Sequence, residues 1–142
     1  MNLQDRVVVV TGASAGLGAQ FARDLVSRGA RVFGLARRAE RLRALEEELG
    51  QAFHGIACDI TDEAQVGDAF EQIHTDAGRI DVLVNNAGFG KFGPAESVTA
   101  DDWDQQMAVN LRGVFLSTRA VLPTMKQQNV ESGFGGHIVD RK

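Results

Sequence analysis

The sequence predicts an α/β domain built on a parallel sheet. Three observations carry this. Residues 6–11 (Arg-Val-Val-Val-Val-Thr) are a continuous β-branched run, the mark of a strand covered on both faces. Short runs of this kind alternate with stretches of helical periodicity, and glycines stand at most of the joints. Alternation gives βαβ units with right-handed crossovers. No internal repeat, low-complexity tract or linker interrupts it, so residues 1–142 read as one domain.

Each element has its own signal. After the first strand comes a glycine-rich turn, then a helix from Gly18 to about Ser27 with Ala19, Phe21, Ala22, Leu25 and Val26 at helical spacing and Gly29 as its stop. Strand two spans Arg31 to Ala36. From Ala39 to Leu49 the stripe Leu42, Leu45, Leu49 makes an amphipathic helix that Gly50 ends. Strand three runs from Ala52 to Cys58. Thr61 precedes a helix of about Asp62 to Asp76, whose Val66, Ala69, Phe70 and Ile73 face inward, and Gly78 separates it from strand four, Ile80 to Val84. Asn85 to Thr99 is a long loop. Thr-Ala-Asp-Asp from Thr99 resembles a capping box for one helix from Asp101 to Gln128, with Pro123 kinking or tightening its last turns. Residues 129–135 read as loop, and His137 to Val139 as the start of strand five.

Composition narrows the function. A net charge of −4 and the lack of a basic tract argue against a nucleic-acid backbone or an anionic membrane as the main partner. The run Val7 to Val10 is far short of a spanning helix, which needs roughly 18 apolar residues. A lone Cys58 points to a reducing, cytoplasmic setting. It reads as core rather than nucleophile. His54, His74 and His137 show no metal-ligand spacing. Trp103 and Phe115 read as packing residues. Phe89, Gly90, Lys91 and Phe92 read as surface loop, with a substrate entrance as the alternative.

Thr11-Gly12-Ala13-Ser14-Ala15-Gly16-Leu17-Gly18 falls between strand one and helix one. Glycines there allow positive φ and close approach to a ligand, and the following helix N-terminus offers free N–H groups to a pyrophosphate. The same residues spell Gly12-Ala13-Ser14-Ala15-Gly16, a Gly-x-Ser-x-Gly elbow in the strand-turn-helix context of a hydrolase nucleophile, for which Asp59 and His137 follow in the right chain order. That alternative leaves Gly18 without a role and no earlier strand to supply an oxyanion loop.

Four motifs stand in order: Thr11-Gly-x-x-x-Gly16-x-Gly18, Asp59 after strand three, Asn85-Asn86-Ala87-Gly88 after strand four, and Asn110 in Val-Asn-Leu-Arg-Gly-Val-Phe. Together they resemble the N-terminal, cofactor-binding portion of the short-chain dehydrogenase/reductase family over residues 3–139. The resemblance implies a Rossmann-like, doubly wound sheet of strand order 3-2-1-4-5 and hydride transfer between a nicotinamide and a ketone or secondary alcohol. It implies a dinucleotide held by Gly12, Ser14, Gly16, Leu17, Gly18, Asp59, Ile60, Asn86, Ala87 and Gly88. Asn110 would hold a water in the proton-relay path. Locally, Asp59 also suits a helix cap and Asn85 to Gly88 a plain turn, while Asn110 is disfavoured in mid-helix by propensity.

Selection between nicotinamide cofactors is read at the end of strand two, where an NAD-selecting protein of this fold places an acid. Ala36 stands there, followed by Arg37 and Arg38. No carboxylate repels a 2′-phosphate, and the Arg37 guanidinium offers it charge-assisted hydrogen bonds, so NADP(H) is expected over NAD(H).

The family's proton donor is a Tyr-x-x-x-Lys pair, preceded by a serine after strand five. The sequence has no tyrosine, and Asp140-Arg141-Lys142 stands where Asn-x-Ser-Ser would continue. The chain therefore reads as C-terminally truncated or frame-shifted, binding cofactor with little or no turnover. The alternative is a non-enzymatic nucleotide-binding or interaction module. Strand five would be an exposed edge, and apolar residues around much of the 101–128 helix (Met107, Leu111, Val114, Phe115, Leu122) point to a homo-oligomer through that helix.

Overall fold

The β-branched run becomes β1 (Val7–Thr11), and its side chains divide between two cores. In the computed structural model, which describes residues 1–141, Val7 and Val9 pack with Phe33, Leu35, Ile73 and Leu83 on one face. Val8 and Val10 pack with Ala22, Val32, Leu42 and Phe53 on the other. A strand with two covered faces has no polar side to alternate, which is why the sequence shows valine at four consecutive positions.

β2 (Arg31–Ala36), β3 (Phe53–Ala57), β4 (Val82–Asn85) and β5 (His137–Asp140) complete a sheet of order β3-β2-β1-β4-β5. Every pairing is parallel. α1 (Gly16–Ser27) and α2 (Ala39–Leu49) cover one face, and α3 (Glu63–Ala77) and α5 (Gly113–Ser132) the other. The direction of winding reverses between β1 and β4, so a crevice opens at the carboxyl ends of these two strands. β5 is paired on one side only, and its residues are exposed, with Val139 at 49%.

Several boundaries differ from the sequence reading. α1 starts at Gly16 rather than Gly18, because Ala15 is extended and its carbonyl accepts from Ala19 N–H. Asp62, not Thr61, caps α3, its carboxylate accepting from Gln65 N–H at 3.0 Å. The helix expected over 101–128 is two helices: α4 (Ala100–Met107), set by the Thr99/Asp102 capping box, and α5, joined by a π turn over Ala108–Arg112. Pro123 does not end α5, which continues to Ser132, held on both sides of the proline by buried Val121 and Met125. Residues 129–132 are helical rather than loop because Gln128 ties this end to the sheet, accepting from Ile80 N–H and donating to the Ile80 and Gly135 carbonyls. Trp103 (59%) and Phe115 (56%) are exposed, not packed. The Arg119 guanidinium covers the Phe115 ring at 5.0 Å.

Candidate functional site

The crevice is floored by the turn from β1 into α1. Gly12 takes φ +66°, and a Cβ there would stand 2.8 Å from the Ala87 Cα, so glycine is what lets the two loops approach. Gly18 is buried beneath the turn, where a Cβ would collide with the Gly12 carbonyl and meet Asn86 Nδ2 at 2.5 Å. Ala13 N–H donates to the Leu35 carbonyl, tying the turn to β2. α1 has no side-chain cap and no acid in its first turn, whereas Asp62 and Thr99 cap α3 and α4. Its first N–H groups, from Gly16 to Gly18, have no side-chain acceptor among the described residues and present a partial positive charge.

Thr11 fixes the facing loop. Its hydroxyl accepts from Asn86 N–H and Ala87 N–H, both at 3.1 Å, and Asn86 Nδ2 donates back to the Thr11 and Gly12 carbonyls. Thr11 opens the glycine motif in the sequence, but its part in holding the Asn86–Ala87 backbone is visible only in the fold. Asn85 Nδ2 donates to Thr118 Oγ1 and to Asp140 Oδ1 at 2.8 Å, holding the ends of β4 and β5 together.

Two pockets result. One, of about 320 Å³, gathers Gly12, Ser14, Arg37, Asp59, Ile60 and Gly88, with Cys58 and Val109 deeper in its wall. The other, of about 550 Å³, gathers Asn86, Ala87, Gly88 and Asn110 with Phe92 and Arg141. Gly88 and Phe89 border both. Gly16 lies on the outer side of the turn, in a groove between α1 and α2, and half-exposed Leu17 lines none of these three.

Electrostatics differ along the first pocket. Asp59 Oδ1 accepts from Thr61 N–H at 2.9 Å and Thr61 Oγ–H at 2.7 Å. These bonds, with the nearby Arg37 charge, hold the Asp59 carboxyl below the usual carboxylate range despite partial burial. Burial pushes the Cys58 thiol up to about 11, so it stays protonated as a core residue. Arg37 and Arg38 are exposed at the rim and have no ion pair among the described residues.

Asn110 sits exposed in the π turn, and its carboxamide is bonded to the Phe89 backbone. Oδ1 accepts from Phe89 N–H at 2.9 Å and Nδ2 donates to the Phe89 carbonyl at 2.7 Å. The side chain is thus committed to the loop it holds.

The hydrolase alternative does not assemble. His137 pairs with Val82, which pairs with Val8, at the amino end of the sheet, whereas Ser14 follows the carboxyl end of β1. No hydrogen bond joins Ser14 to a histidine among the described residues, and Asp59 is engaged by Thr61. Groups of three His, Cys, Asp or Glu side chains that could hold a metal ion do not occur among the described residues. None of the helices there is long and apolar enough to cross a membrane.

Comparison with known proteins decides the family: the model for short chain dehydrogenases matches residues 6–140. The chain belongs to the short-chain dehydrogenase family. Among curated short-chain dehydrogenases it is 41% identical to D-threitol dehydrogenase of Mycolicibacterium smegmatis, over 97% of this chain and 52% of that protein. Two solved short-chain dehydrogenase structures superpose closely. One is a 3-ketoacyl-(acyl-carrier-protein) reductase from Brucella melitensis complexed with NADH, at TM-score 0.93 and 35% identity, covering 97% of this chain and 57% of that one. The other is a metagenomic short-chain oxidoreductase in complex with NADP, at TM-score 0.88 and 41% identity, covering 99% and 63%. The chain spans about half the length of the curated relatives it matches.

Proposed function

We propose that this short-chain dehydrogenase chain forms the dinucleotide half of an oxidoreductase site, that the dinucleotide is NADP(H), and that the 142 residues bind it with little or no turnover of a carbonyl substrate. The carrying observation is the α1 N-terminus: uncapped, without an acid in its first turn, and roofed by a loop that Gly12 and Gly18 let approach. That cradle fits a pyrophosphate. Gly12, Ser14, Gly16, Leu17 and Gly18 would hold it, Asp59 and Ile60 would meet the adenine, and Asn86, Ala87 and Gly88 would leave room for the adenosine ribose. Arg37 at the rim would take a 2′-phosphate, with Ala36 in place of the acid that selects NAD. The relative solved with NADP supports this choice, although another was solved with NADH.

When bound, the nicotinamide supplies or accepts a hydride. The chain's own part at that end is positional: Asn110 fixes the Phe89 backbone at the border of the second pocket, where a ketone or secondary alcohol would sit. A proton must also reach the resulting alkoxide, help worth about 10²–10⁴ in rate. The sequence contains no tyrosine to give it. A screen of the 142-residue chain with NADPH and simple ketones is expected to show cofactor binding but no turnover above background. Sustained NADPH oxidation dependent on ketone would overturn the binding-only reading.

Exposed Leu111 (65%), Phe115 (56%) and Leu122 on the π turn and α5 support self-association through that helix, in the cytoplasmic setting that the lone Cys58 favours. Light scattering at high concentration checks it, and a monomer would contradict it.

A further inference from the structure

Between α1 and α2, on the outer side of the glycine turn, lies a groove of about 390 Å³. Ser14 and Ala15 line both this groove and the 320 Å³ pocket that holds Arg37, so the two cavities adjoin at one short stretch of chain. Two arginines face the groove, and they differ in what they are free to do. Arg23 is engaged by Glu48 in a two-point ion pair, Nε to Oε1 at 2.6 Å and NH2 to Oε2 at 3.0 Å, which neutralises it and closes that end. Arg41, in the first turn of α2, makes no ion pair or side-chain hydrogen bond among the described residues. Arg41 shares the first turn of α2 with Glu40 but makes no ion pair with it among the described residues, and a guanidinium this early in a helix is opposed by the helix dipole, which favours a further anion near it. The neighbouring α1 N-terminus also lacks a protein acceptor.

We infer that Arg41 is a second cation for the cofactor's 2′-phosphate, meeting it across Ser14 from Arg37 and so adding to discrimination between NADP(H) and NAD(H). The inference rests on the NADP(H) reading and extends it to a residue of the adjoining groove. A dianionic phosphate seated over Ser14 has acceptor oxygens for two guanidinium groups, one from the end of β2 and one from α2. A ligand without the phosphate meets neither. Loss of Arg41 should therefore weaken phosphate-bearing ligands selectively, whereas a general loss of positive charge on α2 should act equally from any exposed position. Arg43, exposed on the same helix and lining none of the cavities described, provides that comparison.

The test is calorimetric titration of the full chain with 2′,5′-ADP and with 5′-AMP, which differ by the 2′-phosphate and need no nicotinamide pocket. Arg41→Ala is expected to weaken 2′,5′-ADP by about tenfold, the worth of one charge-assisted hydrogen bond, and to leave 5′-AMP unchanged. Arg41→Lys should recover part of the loss, and Arg43→Ala should change neither ligand. Unchanged 2′,5′-ADP affinity in Arg41→Ala, or equal losses for both ligands, would overturn the inference while Arg37→Ala still reports on the cofactor reading. Equal affinity of the unaltered chain for the two ligands would overturn both.

Discussion

Asn110 and Phe89 are joined through both backbone polar groups of Phe89, the carboxamide accepting from its N–H at 2.9 Å and donating to its carbonyl at 2.7 Å. The pairing crosses from the π turn to the loop after β4 and fixes the border between the two pockets. Asn110→Ala removes both bonds and Asn110→Asp the donor alone. Each is expected to lower unfolding free energy by about 1 kcal/mol, measured by denaturant titration, and to raise hydrogen exchange at the Phe89 amide. Unchanged exchange in Asn110→Ala would show that the loop is held by something else.

Gly18 and Gly16 look alike in sequence and are not alike in space. A Cβ at Gly18 would strike the Gly12 carbonyl and Asn86 Nδ2, whereas one at Gly16 meets nothing within 4 Å and suffers only the φ of +56°. Gly18→Ala should therefore cost about 3 kcal/mol through forced backbone shifts and abolish NADPH binding. Gly16→Ala should cost about 1 kcal/mol. Thermal unfolding and calorimetry on the pair check the order, and equal effects would contradict it.

Acid sensitivity has a defined source at the amino end of the sheet, beside the start of β4. Burial raises the Asp81 carboxyl, but hydrogen bonds from Arg79 and Val7 N–H and the charges of Arg79 and Arg6 outweigh it and hold the group below its usual range. Asp59 is lowered too, by its bonds from Thr61. A depressed folded pKa contributes stability that is present above the unfolded value, about 3.9, and is lost as pH falls through the folded one. Stability from these two groups should thus be level above about pH 5 and decline below about pH 4. Asp81→Asn should cost about 2 kcal/mol at pH 7, less than a fully buried pair because both arginines are part-exposed. Its acid decline should be shallower, as read by melting temperature against pH.

The strands and most helices were legible because burial on two faces leaves valine runs and burial on one leaves a stripe, as in Val7 to Val10 and Leu42, Leu45, Leu49. The π turn was not: residues 108–112 carry no glycine or proline, and the partner of its Asn110 is the distant Phe89 backbone. The tethers made by Thr11 and Gln128 were not legible for a similar reason, since each acts on residues far along the chain. The site's glycines and Arg37 were readable because spacing and strand ends fix where they must lie. The separation of Ser14 from His137 needed the strand register, which only pairing reveals.

The dinucleotide reading stands most directly on one comparison, calorimetric titration of the unmodified chain with NADPH and with NADH. The expected result is tighter binding of NADPH by about tenfold, with that advantage lost in Arg37→Ala while NADH affinity stays the same. Equal or tighter binding of NADH, or an Arg37→Ala variant that keeps the preference, would contradict it.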